Sequence, residues 1–125
     1  MLAQSYAPVV GGEERMVEVL SAELARRGHD VAIATLRQPA GEPPASSDGV
    51  RVRLLDGALA RMPGIAVDPD RRYAPPGPDP LTTRDLGRVL REEQPDVVHA
   101  HNWLAGSYLP LARRSEAAFV LSLHD

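Results

Sequence analysis

The chain contains no cysteine and no lysine, and its aromatic side chains come to one tryptophan, three tyrosines and one phenylalanine. Without cysteine there is no disulfide framework, no thiolate metal site and no thiol redox chemistry. All 14 basic residues are therefore arginine, and 17 acidic residues scattered among them leave a net charge of −3. That balance carries no electrostatic footprint for nucleic acid. With abundant alanine and proline, the arginine reads as compositional bias of the genome and assigns no site. An aromatic content of 4% is too low for a lectin-like groove built from rings. No apolar run approaches the roughly 18 residues that span a bilayer, and the N-terminus lacks the basic-then-apolar layout of a secretory signal, so the expected address is the cytoplasm. The dinucleotide fingerprint G-x-G-x-x-G is also absent, which counts against a nucleotide-cofactor oxidoreductase.

What is present suits one globular domain: 125 residues, of which 43% are hydrophobic. From Gly11 the stretch GGEERMVEVLSAELARRGHD reads as an amphipathic helix, with Met16, Val17, Leu20 and Leu24 on one stripe. Glu13 and Glu14 sit in its first turn, Arg26 and Arg27 in its last, and Gly28 follows as a left-handed cap. Val31–Leu36 is a nearly continuous apolar run, as in a strand buried on both faces. Val50–Leu55 alternates and reads as a second strand nearer a sheet edge. Between Pro39 and Pro80 lie nine of the twelve prolines, a density that bars regular structure and predicts loops within one sheet.

Thr82 with Asp85 three residues on resembles a capping box, opening a helix with Leu86, Val89 and Leu90 on its apolar face and Pro95 at its stop. Residues 96–100 follow as a strand, 104–114 as a helical segment that Pro110 should kink or split, and 118–123 as another buried strand. Strands alternating with helices imply an α/β, Rossmann-like, doubly wound parallel sheet in three layers. Only ten residues precede the Gly11-Gly12 turn, so the first strand is expected to be truncated, and the abrupt Leu123-His-Asp125 end suggests a piece incomplete at both ends.

Ligands of open α/β sheets bind outside the carboxyl ends of the strands. Three clusters fall there. Gly11-Gly12 opens a helix whose N–H groups and dipole favour an anion such as a diphosphate, although Glu13 and Glu14 could satisfy those groups instead. The plainer reading of the glycines is a turn that needs unusual backbone angles. His99 and His101, two apart on a strand, share a face, with Asn102 as cap of the following helix. Either histidine is suited to hold a sugar or phosphate or to be a satisfied structural residue. A two-histidine metal site lacks a third ligand of diagnostic spacing, unless His124 and Asp125 arrive from the next strand. Trp103 and Tyr108 read as core or pocket wall, and Arg71-Arg72-Tyr73 as a solvated loop.

Three motifs in order, Tyr6-Ala-Pro-Val-Val-Gly-Gly-Glu-Glu-Arg15, Leu24-Ala-Arg-Arg-Gly-His-Asp-Val31 and Pro95-Asp-Val-Val-His-Ala-His-Asn102, closed by Leu121-Ser-Leu-His-Asp125, resemble the N-terminal half of a retaining glycosyltransferase of the GT-B fold, family 4. The resemblance covers nearly the whole chain. It implies two Rossmann-like domains facing across a cleft, with residues 1–125 the acceptor side and a nucleotide-sugar donor held mainly by a C-terminal domain that this chain lacks. Gly11 and Gly12 would approach the donor diphosphate. His101 would be the catalytic residue near the transferred sugar, and His99, Asn102, Trp103, His124 and Asp125 would line the acceptor pocket. The chemistry implied is hexosyl-type transfer with retained configuration, without a cofactor or required metal, the nucleotide-sugar serving as co-substrate. The fragment alone is expected to be inactive, and many members of the family use lipid-linked acceptors, which would place the protein at the inner face of the membrane, but no basic amphipathic helix here supports that association. The alternative is a non-catalytic Rossmann-like binding or interaction module with structural histidines.

Overall fold

A computed structural model describes residues 1–59, 62, 68 and 70–124. Its elements run β1 (Leu2–Ala3), α1 (Gly12–Arg26), β2 (Val31–Leu36), β3 (Ser46–Ser47), β4 (Val50–Leu55), α2 (Pro80–Glu93), β5 (Val97–His101), a 3₁₀ turn (Asn102–Leu104), α3 (Ala105–Ala112) and β6 (Ala118–Ser122). The strands form a single sheet in the order β3-β4-β2-β1-β5-β6, parallel throughout except for the short β3, which pairs antiparallel with β4. This is the expected α/β arrangement, and the first strand is indeed only two residues long.

Two apolar layers hold the helices to the sheet. On one face Val17 of α1 packs with Ala3, Tyr6, Val31, Ile33, Val50 and Val52. On the other, Leu86 and Val89 of α2 and Ala105 and Tyr108 of α3 cover Leu2, Ala34, Leu36, Leu55, Val98 and Ala100. Strand β2 supplies both layers from alternate residues, Ile33 to one and Ala34 and Leu36 to the other, which is why it reads as continuously apolar. Gly28, at φ +91°, ends α1 in the left-handed conformation that only glycine adopts without strain. Gln94, also left-handed, ends α2 ahead of Pro95.

Three expectations need correction. The N-cap of α2 is Asp79, not Thr82: its carboxylate accepts from the N–H groups of Leu81 and Thr82, and Pro80 occupies the first helical position, where no donor is needed. The buried hydroxyl of Thr82 instead donates to Asp56 O. Strand β6 is not buried; it is the sheet edge, with Phe119, Val120 and Leu121 all exposed, because no strand among the described residues pairs beyond it and α3 reaches it through Tyr108 against Phe119. Helix α3, preceded by the 3₁₀ turn, runs through Pro110 as one element, so the proline does not split it.

Asp79 also accepts from the N–H groups of Ala58 and Leu59, so one buried carboxylate anchors both a helix start and the loop after β4. Burial opposes its ionisation, but these four backbone donors outweigh that and hold its pKa below the ordinary range. Asp79→Ala should cost roughly 2–4 kcal/mol, a lost cap plus stranded donors, and Thr82→Val only about 1. Urea unfolding of the two variants checks this ordering; equal losses would restore the capping-box reading.

Candidate functional site

The loop from β1 to α1, the end of β5 and the end of β6 meet at the carboxyl rim of the sheet. The junction is made by Asn102. Its backbone is left-handed at φ +53°, and its side chain reaches both ways: Nδ2 donates to Glu13 Oε2 at 2.6 Å and Oδ1 accepts from the His124 N–H at 2.8 Å. Asn102 is thus the first residue of the 3₁₀ turn and not its cap; the cap position belongs to His101. Asparagine tolerates the left-handed region better than most residues, and here that turns its amide back toward α1.

His101 lies beneath this clamp, with no exposed surface. Its Nδ1 is 3.0 Å from His124 Nε2, and its Nε2, also buried, has no partner among the described residues. The His99 ring lies 4.3 Å away from that of His101 and the His124 ring 5.2 Å, centroid to centroid, so three imidazoles form a short stack. His99 is half-buried and bonds Ser122 Oγ through Nε2 at 2.8 Å. Burial first, then the neighbouring imidazoles and the N-terminal amine, lowers the His101 pKa to about 4. His101 is therefore neutral near pH 7, and when His124 donates to its Nδ1, its Nε2 carries a proton.

The glycine turn joins the same rim. Neither Gly11 nor Gly12 has a positive φ, so the expectation of unusual backbone angles does not hold. Gly11 is extended, and a side chain there would collide with the Glu14 carboxylate and crowd Arg71 Nη2 at 3.1 Å. Gly12 is different: a Cβ added to it meets nothing among the described residues within 4 Å. The two glutamates of the first turn do not cap it. Glu13 turns to Asn102, burial raising its pKa against the Asn102 hydrogen bond, and Glu14 is buried against the Ser5 hydroxyl.

Arg71, expected in a solvated loop, is folded onto this turn. Its Nη2 donates to Val10 O at 2.9 Å and lies 3.7 Å from Glu14 Oε1. Tyr73 and Glu14 raise its pKa, Tyr73 through a hydrogen bond that acts more strongly. Only a contact 61 residues distant in sequence reveals this residue; its local context in the proline-rich segment carries no signal. Arg72 is held nearby through Gln38, whose amide donates to Gln4 O and Arg72 O and accepts from the Arg72 N–H. Trp103, expected as core or pocket wall, is 58% exposed because the 3₁₀ turn points it outward. Tyr108 is fully buried, its ring 5.0 Å from that of Phe119. Asp125 lies outside the described residues. Among the described residues no cluster of three or more His, Asp or Glu is arranged to hold a metal ion, and no helix is long and apolar enough to cross a membrane.

An open parallel sheet with a glycine-opened helix, a buried imidazole and an arginine on one carboxyl rim is the layout of an open α/β domain, whose carboxyl rim is the edge where such sheets take their ligands. Residues 11–125 match the glycosyl transferase 4-like domain, and the chain belongs to that family. It is 35% identical over 130 residues to the D-inositol 3-phosphate glycosyltransferase of Kineococcus radiotolerans, covering 98% of this chain and 28% of that protein. It is 32% identical over 147 residues to the glycogen synthase of Mycobacterium tuberculosis, covering 99% and 32%. The chain thus spans about a third or less of the length of these curated relatives.

Because the folded pKa of His101 lies below the usual 6.5, the unfolded chain binds the proton more readily than the folded one. The stability linked to this group is complete above about pH 6.5 and is lost as pH falls toward 4. Urea midpoints at pH 7 and pH 4.5 should therefore drop further for the native chain than for His101→Gln, which has nothing to protonate. Parallel drops would mean that the imidazole is not held neutral by its surroundings.

Proposed function

We propose that the chain is the acceptor-side domain of a glycosyltransferase that moves a hexosyl group from a nucleotide-sugar donor to an acceptor with retained anomeric configuration. A second domain of the longer protein would supply most of the donor site, and the address would be cytoplasmic. The observation that carries the reading is the convergence of Gly12, His101 and Arg71 on one rim, clamped by Asn102.

Gly12 supports a donor diphosphate at this rim. Glycine there is required neither by backbone angle nor by packing among the described residues, which fits a group that approaches from outside them. A diphosphate at this position would meet the positive end of α1 and the Arg71 guanidinium, and both would stabilise negative charge as the nucleotide leaves. Neutral His101 would donate through Nε2 to a hydroxyl of the transferred sugar, orienting the anomeric carbon, while the stack of His99 and His124 fixes its ring. Glu13 and Asn102 would frame the acceptor side with His99 and His124. The exposed apolar edge at Phe119, Val120, Leu121 and Leu123 supports further polypeptide packing beyond β6.

In a form of the protein that turns over, Gly12→Ala should leave stability unchanged or raise it by up to about 1 kcal/mol, since it removes a flexible residue from a helix start. The same change should weaken donor use about tenfold or more in kcat/KM. His101→Gln should lower kcat by about a hundredfold, and Arg71→Ala should act similarly on kcat/KM by removing one charge from the leaving group. Steady-state kinetics beside urea unfolding separate the two effects. Unchanged kinetics in Gly12→Ala and Arg71→Ala would defeat the diphosphate assignment.

A further inference from the structure

At the carboxyl rim Gln4 Oε1, just after β1, Glu13 Oε1, in the first turn of α1, and His101 Nε2, at the end of β5, are all buried without a hydrogen-bond partner among the described residues. Their chemistry differs. The two oxygens only accept, whereas His101 Nε2 donates when His124 supplies the proton at Nδ1. Glu13 is half-buried beside the exposed Gly12, with Oε2 engaged by Asn102 at 2.6 Å and Oε1 left without a donor. Gln4 is 8% exposed, and its backbone reaches the same carboxylate.

Charge on this side of the rim is weighted toward the negative. Glu13 and Glu14 share the first turn of α1, and the arginine that meets them, Arg71, is directed at Val10 O and Glu14. Burial raises the Glu13 pKa; the Asn102 hydrogen bond is the strongest influence favouring its charged form.

We propose that Glu13 sets the class of acceptor, selecting an uncharged, hydroxyl-rich one such as a sugar ring and refusing one that presents a phosphate monoester to the same carboxylate. The inference rests on the acceptor-side reading given above and names the substrate class of that site. A hydroxyl both donates and accepts, so one acceptor hydroxyl donates to Glu13 Oε1 and another to Gln4 Oε1, filling the two positions the chain leaves empty. A phosphate monoester carries oxygens and negative charge. Set against Glu13 it would pair acceptor with acceptor and anion with anion, after both had lost their water. Refusal of this kind comes from a repulsive group built into the site, and here that group is a carboxylate fixed by Asn102.

The test is titration of the isotope-labelled 125-residue chain, followed by NMR at the Asn102 side-chain amide. The probes are the methyl glycosides of glucose, mannose and galactose, with myo-inositol, each compared with its monophosphates at about pH 7.5, where the phosphate is doubly charged. The neutral compound that binds best should do so at least about tenfold more tightly than its monophosphates. Glu13→Gln keeps an oxygen for the hydroxyl and for Asn102 but removes the charge. It should hold the neutral compound within about threefold and narrow the preference to about threefold or less, whereas Glu13→Ala should weaken the neutral compound about tenfold. In a form of the protein that turns over, acceptor kcat/KM should follow the same order. A monophosphate that binds as well as its neutral parent, or a preference that survives Glu13→Gln, overturns the selection by Glu13 and leaves the acceptor-side reading standing. No response at Asn102 to any probe, neutral or phosphorylated, overturns the selection and the placement of the acceptor on this rim together.

Discussion

One side-chain amide links three segments of the carboxyl rim. Asn102 grips the Glu13 carboxylate with its donor end and the His124 N–H with its acceptor end, so the start of α1 and the ends of β5 and β6 cannot drift apart independently. Without that double contact His101 would sit under an open seam, and the imidazole stack would lose the backbone that presents His124. The left-handed backbone and the two-ended amide are both needed. Aspartate would keep the backbone but set a carboxylate against Glu13; glycine would keep the backbone and lose both bonds; glutamine would keep the amide but not the backbone preference.

The two rims have opposite electrostatic characters. At the amino rim Glu93 is bracketed by Arg51 and Arg53, with Asp30 on the far side of Arg51, a closed ion-pair group that lowers the pKa of Glu93. At the carboxyl rim the polar groups are incompletely matched, with His101 Nε2 buried and unpartnered among the described residues. Buried polar atoms without partners are rare in native proteins and concentrate where function needs them. The amino-rim charges are matched by partners of the chain itself, whereas the carboxyl rim keeps a buried imidazole nitrogen unmatched among the described residues.

Most of the architecture is legible in the sequence because periodicity follows directly from burial. Val31–Leu36 reads as doubly buried since each face of β2 has its own helix layer, and Gly28 reads as a cap since its φ admits little else. The failures share a cause. Strand β6 has the composition of a buried strand, but burial depends on what packs against it, and composition records only the requirement. Thr82 reads as a cap because hydroxyl-x-x-acid is a local pattern; Asp79 takes the position because it also serves the distant N–H groups of Ala58 and Leu59. At the site, the shared face of His99 and His101 follows from strand alternation, whereas the roles of Asn102 and Arg71 arise from contacts 89 and 61 residues away. No spacing rule reaches that far.

The proline-rich connection after β4 is pinned at both ends. Asp79 fixes its beginning through Ala58 and Leu59, and Gln38 fixes its return through both backbone groups of Arg72. Each pin belongs to the folded framework and neither depends on what lies between them. Both pins fall on main-chain groups, so the side chains of Ala58, Leu59 and Arg72 can be exchanged without loosening either attachment.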